Sequence, residues 1–173
     1  MSHKPSPKSA IRQPMYTEAE RARRDASPWT LLQGILAPFQ FLVFLVSLGL
    51  VLRFLSTGEG FGPASVSVVV KTLVLYTIMI TGSIWEHEVF GKWLFARPFF
   101  WEDVFSMLVL ALHTAYLGAA FYGWLTPNEL MLLALAAYAT YVINAAQFIV
   151  KLRAARREAP ATMVPPDSLA VGS

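Results

Sequence analysis

Four long apolar segments separated by short polar connections dominate this chain. They run approximately over Leu31–Leu52, Ala64–Ile84, Val104–Tyr122 and Leu130–Val150. Each is long enough to cross the ~30 Å hydrocarbon core of a bilayer as a helix, which takes about 20 residues. Because lipid offers no partners to backbone N–H and C=O groups, an unpaired strand is excluded even for the valine-rich second segment. The sequence therefore predicts an all-α integral membrane bundle of four transmembrane helices.

The distribution of charge indicates the same class of protein. Of the 25 charged residues, nine lie in residues 1–25 and six in residues 151–173, which leaves ten for the long stretch between them. A soluble domain carries about 25% charged residues along its whole length, far more than this middle stretch does. Ordinary cytosolic and disordered classes of protein are therefore excluded. The absence of cysteine excludes disulfides, thiol nucleophiles and thiolate metal sites. Basic residues at the chain ends set membrane topology and do not indicate a nucleic-acid partner.

The same charges predict domain limits and orientation. Residues 1–27 are predicted as a flexible N-terminal tail leading into a helix, 28–157 as the transmembrane domain and 158–173 as a disordered C-terminal tail. The tails and the connection between the second and third spans hold twelve Lys and Arg residues, against Arg53 alone on the other side. The positive-inside rule therefore places both termini and this connection in the cytoplasm.

The connection between the second and third spans reads WEHEVFGKWLFARPFFWED from Trp85 to Asp103. It contains seven aromatic residues, four carboxylates, one histidine and two cations. An interfacial aromatic belt with an acidic rim accounts for any single residue. The combination suits a flat amphipathic ligand at the headgroup level. The sequence thus predicts an aromatic interfacial loop that contributes to a binding site.

Polar residues recur at helical spacing inside the third and fourth spans. One face of the third carries Glu102, Ser106 and His113, and one face of the fourth carries Tyr141, Asn144, Gln147 and Lys151. Buried Ser and Thr usually serve as hydrogen-bond partners between helices. Asn144 and Gln147 are costlier to bury, and they suggest a polar pocket that opens toward the loop side.

Two ionisable residues lie within the predicted spans. His113, near the middle of the third, is a candidate functional residue, although a neutral imidazole bonded to a neighbouring helix explains it equally well. Lys71 is expected to extend outward to the membrane surface as a structural residue. The chain contains no HExxH, nucleophile-elbow, P-loop or GxGxxG motif.

Four stretches carry a resemblance to a known family. They are SPWTLLQGILAPFQFLVFLVSLGLVLRFL from Ser27, VVVKTLVLYTIMITGSIWE, FFWEDVFSMLVLALHTAYL and YVINAAQFIVKLRAARR. Together they cover about residues 20 to 157, and they resemble the 3-vinyl bacteriochlorophyllide hydratase family, also called chlorophyllide a 3-vinyl hydratase. The resemblance implies a lyase that adds water to the C3 vinyl group of chlorophyllide a or a bacteriochlorophyllide, giving a 1-hydroxyethyl group in bacteriochlorophyll synthesis.

The resemblance also implies the surroundings of the reaction. The chain is expected in the inner, intracytoplasmic membrane of an anoxygenic phototroph. The expected partners are the tetrapyrrole substrate and membrane lipid. Apart from the resemblance, a four-helix bundle this thin is expected to form a homo-oligomer that encloses the macrocycle. No cofactor is expected, because the magnesium belongs to the substrate macrocycle.

For that reaction we assign catalytic roles from chemistry. A carboxylic acid in an apolar setting gives a proton to the terminal vinyl carbon, and a second acid or a histidine activates the water. Glu102 is the first choice as the acid. Asp103 and Glu86 follow, for water activation, with His87 as the alternative. The competing interpretation is that Glu102 and Asp103 have a structural role, because acidic side chains in the first turn of a helix interact favourably with the helix dipole.

Substrate contacts are expected from the same end of the bundle. Arg97 or Lys92 pairs with the substrate propionate, and the planar arginine side chain fits a carboxylate better. His87 or His113 would give the substrate magnesium an axial ligand. The predicted substrate-binding residues are Trp85, Trp93, Arg97, Trp101, Ser106, His113, Asn144 and Gln147.

Two other classes of function remain open from the residues alone. One is a non-catalytic pigment-binding or carrier subunit with the same aromatic pocket. The other is an assembly subunit of a photosynthetic membrane complex, in which the acidic connection serves for docking. Amide substitutions at Glu102 and Asp103 would separate an enzyme from a carrier.

Overall fold

The computed structural model describes residues 15–158, and the side chains of residues 15–154. Residues 15–158 form five helices: α1 Glu18–Ala26, α2 Pro28–Thr57, α3 Phe61–Phe90, α4 Phe100–Tyr122 and α5 Pro127–Glu158. No strand occurs within this described part of the chain. The last four helices are each long and apolar enough to cross a membrane. The predicted all-α fold with four long apolar helices is therefore confirmed.

The four long helices pack as two antiparallel hairpins. α2 packs along α3 to form the first hairpin, and α4 packs along α5 to form the second. The two hairpins meet mainly through α2 and α5, whereas α3 and α4 make fewer contacts. Their shared core includes Phe44, Val51, Val68, Met131 and Tyr138. Only 22–28% of the residues in the central part of each long helix are buried. The remaining apolar side chains face outward, as expected for a bundle whose surroundings are hydrocarbon.

One end of the bundle gathers most of the polar connections. α1 packs against the end of α3, where Arg23 Nε donates to the carbonyl oxygen of Val89 over 2.9 Å. The start of α2, residues 91–99, the start of α4 and the end of α5 lie at this end too, because the helices alternate in direction. We call it the loop end.

The boundaries at the loop end differ from the prediction. Part of the predicted flexible tail is helical, since α1 occupies Glu18–Ala26 and begins with a capping box between Thr17 and Glu20. The predicted loop from Trp85 to Asp103 is shorter, because α3 continues to Phe90 and α4 begins at Phe100. Gly91 ends α3 with φ 73°, a left-handed conformation that only glycine adopts without strain. The rest of both predicted tails, 1–14 and 159–173, lies outside the described residues.

Candidate functional site

Two acidic side chains from different helices meet at the loop end. Glu86 on α3 is 6% exposed, and Asp103 on α4 is 4% exposed. Their carboxyl groups accept from the N–H groups of two consecutive loop residues, Phe95 and Ala96, so the two groups lie close together. Two buried carboxylates this close repel each other, so a proton shared between the two groups stabilises the pair. The pair therefore combines a proton donor and a proton acceptor in one buried location.

The same two acids hold the connection between α3 and α4. The Phe95 N–H donates to Asp103 Oδ2 over 2.7 Å, and the Ala96 N–H donates to Glu86 Oε2 over 3.2 Å. Phe95 has φ 60°, a left-handed backbone conformation that is strained for a bulky residue. The two hydrogen bonds compensate this strain. Residues 91–99 consequently fold over the acids and shield them from outside.

Glu102, the first-choice acid of the sequence analysis, faces a different partner. Its Oε2 accepts a 2.7 Å hydrogen bond from Lys151 Nζ on α5, and the two side chains are 9% and 23% exposed. The Lys151 ammonium also lies 5.2 Å from the centre of the Phe99 ring. Glu102 is thus engaged in an ion pair that links α4 to α5, next to the Glu86–Asp103 pair rather than within it.

The aromatic residues of the loop end form two groups. Trp85 points inward, donates from Nε1 to Thr30 Oγ1 over 2.8 Å, and packs edge-on against Phe90 and Phe99. Trp93 and Trp101 are 59% and 65% exposed on the outer surface. The structure therefore separates the predicted tryptophans into a packed inner residue and two outer ones.

The outer group includes charged side chains. The His87 imidazole stacks on Trp93 with ring centres 4.2 Å apart, and it is exposed, as are Lys92 and Arg97. Glu86 alone of the Glu86-His87-Glu88 run is buried. His87 is therefore available to a ligand at the surface but lies on another face than Glu86.

A second polar group lies between α4 and α5. Asn144 Nδ2 donates to Ser106 Oγ over 2.8 Å, and Gln147 lies on the same face of α5 as Asn144. Ser106 shares its helix face with Asp103, three residues earlier. The structure thus brings Ser106 and Asn144 together, about one turn inside the acids, and Gln147 lies one turn from Asn144 on the same face of α5.

The predicted faces of α4 are confirmed, but one ionisable residue differs from the prediction. Glu102, Ser106 and His113 are all buried on α4. Lys71 does not extend outward: it is fully buried, and its Nζ lies 2.8 Å from Nε2 of His113. The inward position of Lys71 is favourable because the His113 imidazole offers a hydrogen-bond acceptor, which lipid does not. His113 is ten residues beyond Asp103, or about 15 Å along the helix, so it does not join the acids.

Sequence reasoning missed several partners in this region. The ion pair of Glu102 with Lys151 was not predicted, although Lys151 was placed on the correct face of α5. The signal in the sequence was that a buried acid requires a cation, and Lys151 is the first of several basic residues toward that end of α5. The role of Glu86 and Asp103 as acceptors for loop N–H groups has no sequence signal, because it depends on where the loop folds back.

Comparison with known proteins gives consistent results over nearly the whole chain. A family model described as 2-vinyl bacteriochlorophyllide hydratase matches residues 16–154. A protein of that name from Rhodobacter capsulatus is 65% identical over 154 residues, which cover 89% of this chain and 90% of the relative. A protein of the same name from Cereibacter sphaeroides is 63% identical over 153 residues, covering 88% and 94%. No solved structure matches the chain.

Proposed function

The chain belongs to the family of 2-vinyl bacteriochlorophyllide hydratases, and from this premise we propose that Glu86 and Asp103 form its catalytic pair. The chain is an enzyme, a hydro-lyase that adds water to the vinyl group of a bacteriochlorophyllide in bacteriochlorophyll synthesis. The macrocycle carbon that bears the vinyl group is numbered 2 in the family name and 3 in the current nomenclature. The resemblance found in the sequence is therefore confirmed.

The proposal rests on the close approach of the two buried carboxyl groups, which accept from consecutive loop N–H groups. Hydration needs an acid that protonates the terminal vinyl carbon and a base that takes a proton from the attacking water. A pair that shares one proton provides both, as in other enzymes with paired carboxyl groups. Protonation gives a cation at the inner carbon that is delocalised into the macrocycle, and water adds there to form the hydroxyethyl group.

The two roles are assigned from hydrogen-bond lengths. Asp103 accepts its loop N–H at 2.7 Å and Glu86 accepts at 3.2 Å. Shorter hydrogen bonds are typical of ionised acceptors. We therefore assign the proton to Glu86 and the basic role to Asp103. In this proposal Glu102 holds Lys151 in place beside Asp103 and does not donate the proton.

The outer residues are proposed to bind the macrocycle. Trp93 and Trp101 offer flat apolar surface beside the acids, and Arg97 pairs with the propionate. His87, stacked on Trp93, is the nearest candidate for an axial ligand of the substrate magnesium. The substrate needs to displace part of residues 91–99, because these residues cover Glu86 and Asp103 before it binds.

The reaction is redox-neutral, and we therefore propose that the enzyme works without a cofactor of its own. We also propose that both termini and the loop end face the cytoplasm, in the intracytoplasmic membrane. The excess of Lys and Arg at this end supports that orientation. Association of several copies would help a thin four-helix bundle to enclose the macrocycle.

The test is to incubate the detergent-purified protein with the vinyl substrate and analyse the pigment. We expect a product heavier by one water, with absorption shifted to the blue because the vinyl group leaves the conjugated system. Glu86→Gln and Asp103→Asn each keep a carbonyl oxygen that can accept the loop N–H, but they cannot transfer a proton. Each should lower turnover by about 100-fold or more.

The matched control is Glu88→Gln, which removes an exposed acid two residues from Glu86. It should keep the turnover of the unmodified protein. If the amide variants fold, bind pigment and still turn over at the normal rate, the acids serve only to hold the loop and the proposed mechanism is wrong.

A further inference from the structure

Three polar side chains form a small cluster between α4 and α5. Ser106 and Asn144 are 4% and 9% exposed, and they are hydrogen-bonded to each other. Gln147 is on the same face of α5 as Asn144, and Ser106 is on the same face of α4 as Asp103. We call Ser106, Asn144 and Gln147 the amide pocket. It adjoins the proposed base of the catalytic pair.

Two acceptors of the amide pocket are buried without a donor. Among residues 15–154, no group donates to Asn144 Oδ1 or to Gln147 Oε1. A 180° flip of the Asn144 amide does not satisfy both of its polar atoms. Oδ1 would then accept from Ser106, but Nδ2 would lose its partner. An unpaired buried polar group costs about 1–3 kcal/mol. Native proteins normally satisfy such groups, often with internal water.

Apolar side chains flank the amide pocket on the outer surface. Leu108, Val142 and Ile143 are 45%, 47% and 48% exposed on the outer faces of α4 and α5. In a bilayer these faces contact lipid, where water is scarce. A reaction that consumes water at the nearby acids therefore needs a polar group that holds it.

We propose that the amide pocket binds the water that the enzyme adds to the vinyl group and presents it to Asp103. This inference rests on the proposed function of the catalytic pair. A water molecule there donates one hydrogen to the oxygen of Asn144 or Gln147 and keeps the other for the Asp103 carboxylate. The ligand class is thus a small hydroxyl compound, and water is the smallest member.

The proposed step balances in atoms and charge. The water oxygen forms the bond to the cationic inner carbon while one O–H bond breaks, and that proton goes to Asp103. Asp103 then returns a proton to the neighbouring Glu86. This replaces the proton that Glu86 gave to the terminal carbon. One water is consumed, and both carboxyl groups regain their initial state.

Apolar substitutions of matching size provide the first test. Asn144→Leu and Gln147→Met remove the amides while they keep the packing volume, and Ser106 can then bond to its own helix backbone. We expect turnover to fall by about tenfold to a hundredfold, while the dissociation constant for the pigment stays unchanged. Thr140→Val is the control, since Thr140 Oγ1 bonds within its own helix, to the Ala137 carbonyl oxygen.

A gain of function provides the second test. Gln147→Ala enlarges the amide pocket, so in a buffer that contains methanol it should add methanol to the vinyl group and form a methoxyethyl product. The unmodified protein should form far less of this product. A residue with a purely structural role would not change the choice of nucleophile.

The outcomes separate the two proposals. Normal turnover in folded Asn144→Leu or Gln147→Met would overturn the water site. So would a Gln147→Ala variant that forms no more ether than the unmodified protein. Failure of the unmodified protein to hydrate the vinyl substrate would contradict the proposed function instead.

Discussion

Lys71 on α3 and His113 on α4 form a hydrogen-bonded pair in the centre of the bundle, with Nζ 2.8 Å from Nε2. The other ring nitrogen, Nδ1, lies 2.8 Å from the Val109 carbonyl oxygen, which can only accept. Nδ1 therefore carries the hydrogen, and Nε2 accepts from Lys71. The Lys71 nitrogen also lies 4.1 Å from the centre of the Tyr141 ring. This pair joins two helices that otherwise make few contacts.

The Lys71–His113 pair predicts a coupled effect on stability. His113→Leu leaves the Lys71 nitrogen buried without its acceptor and should lower the free energy of unfolding by about 3 kcal/mol. The double variant Lys71→Met/His113→Leu removes both polar groups and should recover most of that loss. Denaturant unfolding in micelles measures the free energy of unfolding of the single and the double variant. A double variant that loses as much as the two single variants combined would show that the residues act independently.

The left-handed conformation of Phe95 predicts a difference between two small substitutions. Phe95→Ala and Phe95→Gly both remove the ring, but only glycine adopts φ 60° without strain. The glycine variant should be more stable than the alanine variant by about 1 kcal/mol. Thermal unfolding of the two proteins is the measurement. Equal stability would mean that the strain at Phe95 is not significant.

The Glu102–Lys151 ion pair predicts a loss of stability when its cation is removed. Lys151→Met leaves Glu102 mostly buried and unpaired, and because Lys151 is partly exposed the expected cost is moderate, about 1–2 kcal/mol. Lys151→Arg should retain most of the stability. The exposed Lys92 provides the control Lys92→Met, which should unfold like the unmodified protein. If Lys92→Met destabilises the protein to the same extent, the loss comes from removing any positive charge and not from breaking the Glu102–Lys151 ion pair.

The proposed orientation predicts which side of the membrane a label can reach. The chain has no cysteine, so Lys92→Cys at the loop end and Glu59→Cys at the opposite end each introduce one reactive thiol. A membrane-impermeant maleimide added to intact cells should label Glu59→Cys, and labelling of Lys92→Cys should require opened cells. The reverse pattern would place the loop end in the periplasm.

The sequence was most informative where a property depends on one helix alone. Apolar length predicted four spans, and helical spacing predicted that Glu102, Ser106 and His113 share a buried face, as they do. Both properties follow from local geometry, because residues three, four and seven positions apart always lie on one side of a helix. The resemblance to the hydratase family likewise rests on the sequence and does not depend on how the helices pack against each other.

The pairings between helices depend on the tertiary structure. Glu102 is bonded to Lys151, Lys71 is bonded to His113, and Glu86 lies beside Asp103. Each pair joins residues from two different helices. Nearly uniform apolar helices carry little information about how each one is rotated against its neighbours. A buried polar group is satisfied by whichever partner the packing brings near. The sequence alone therefore determined the membrane class, the spans and the polar faces, whereas only the tertiary structure decided that Lys71 points inward and that Glu86 meets Asp103.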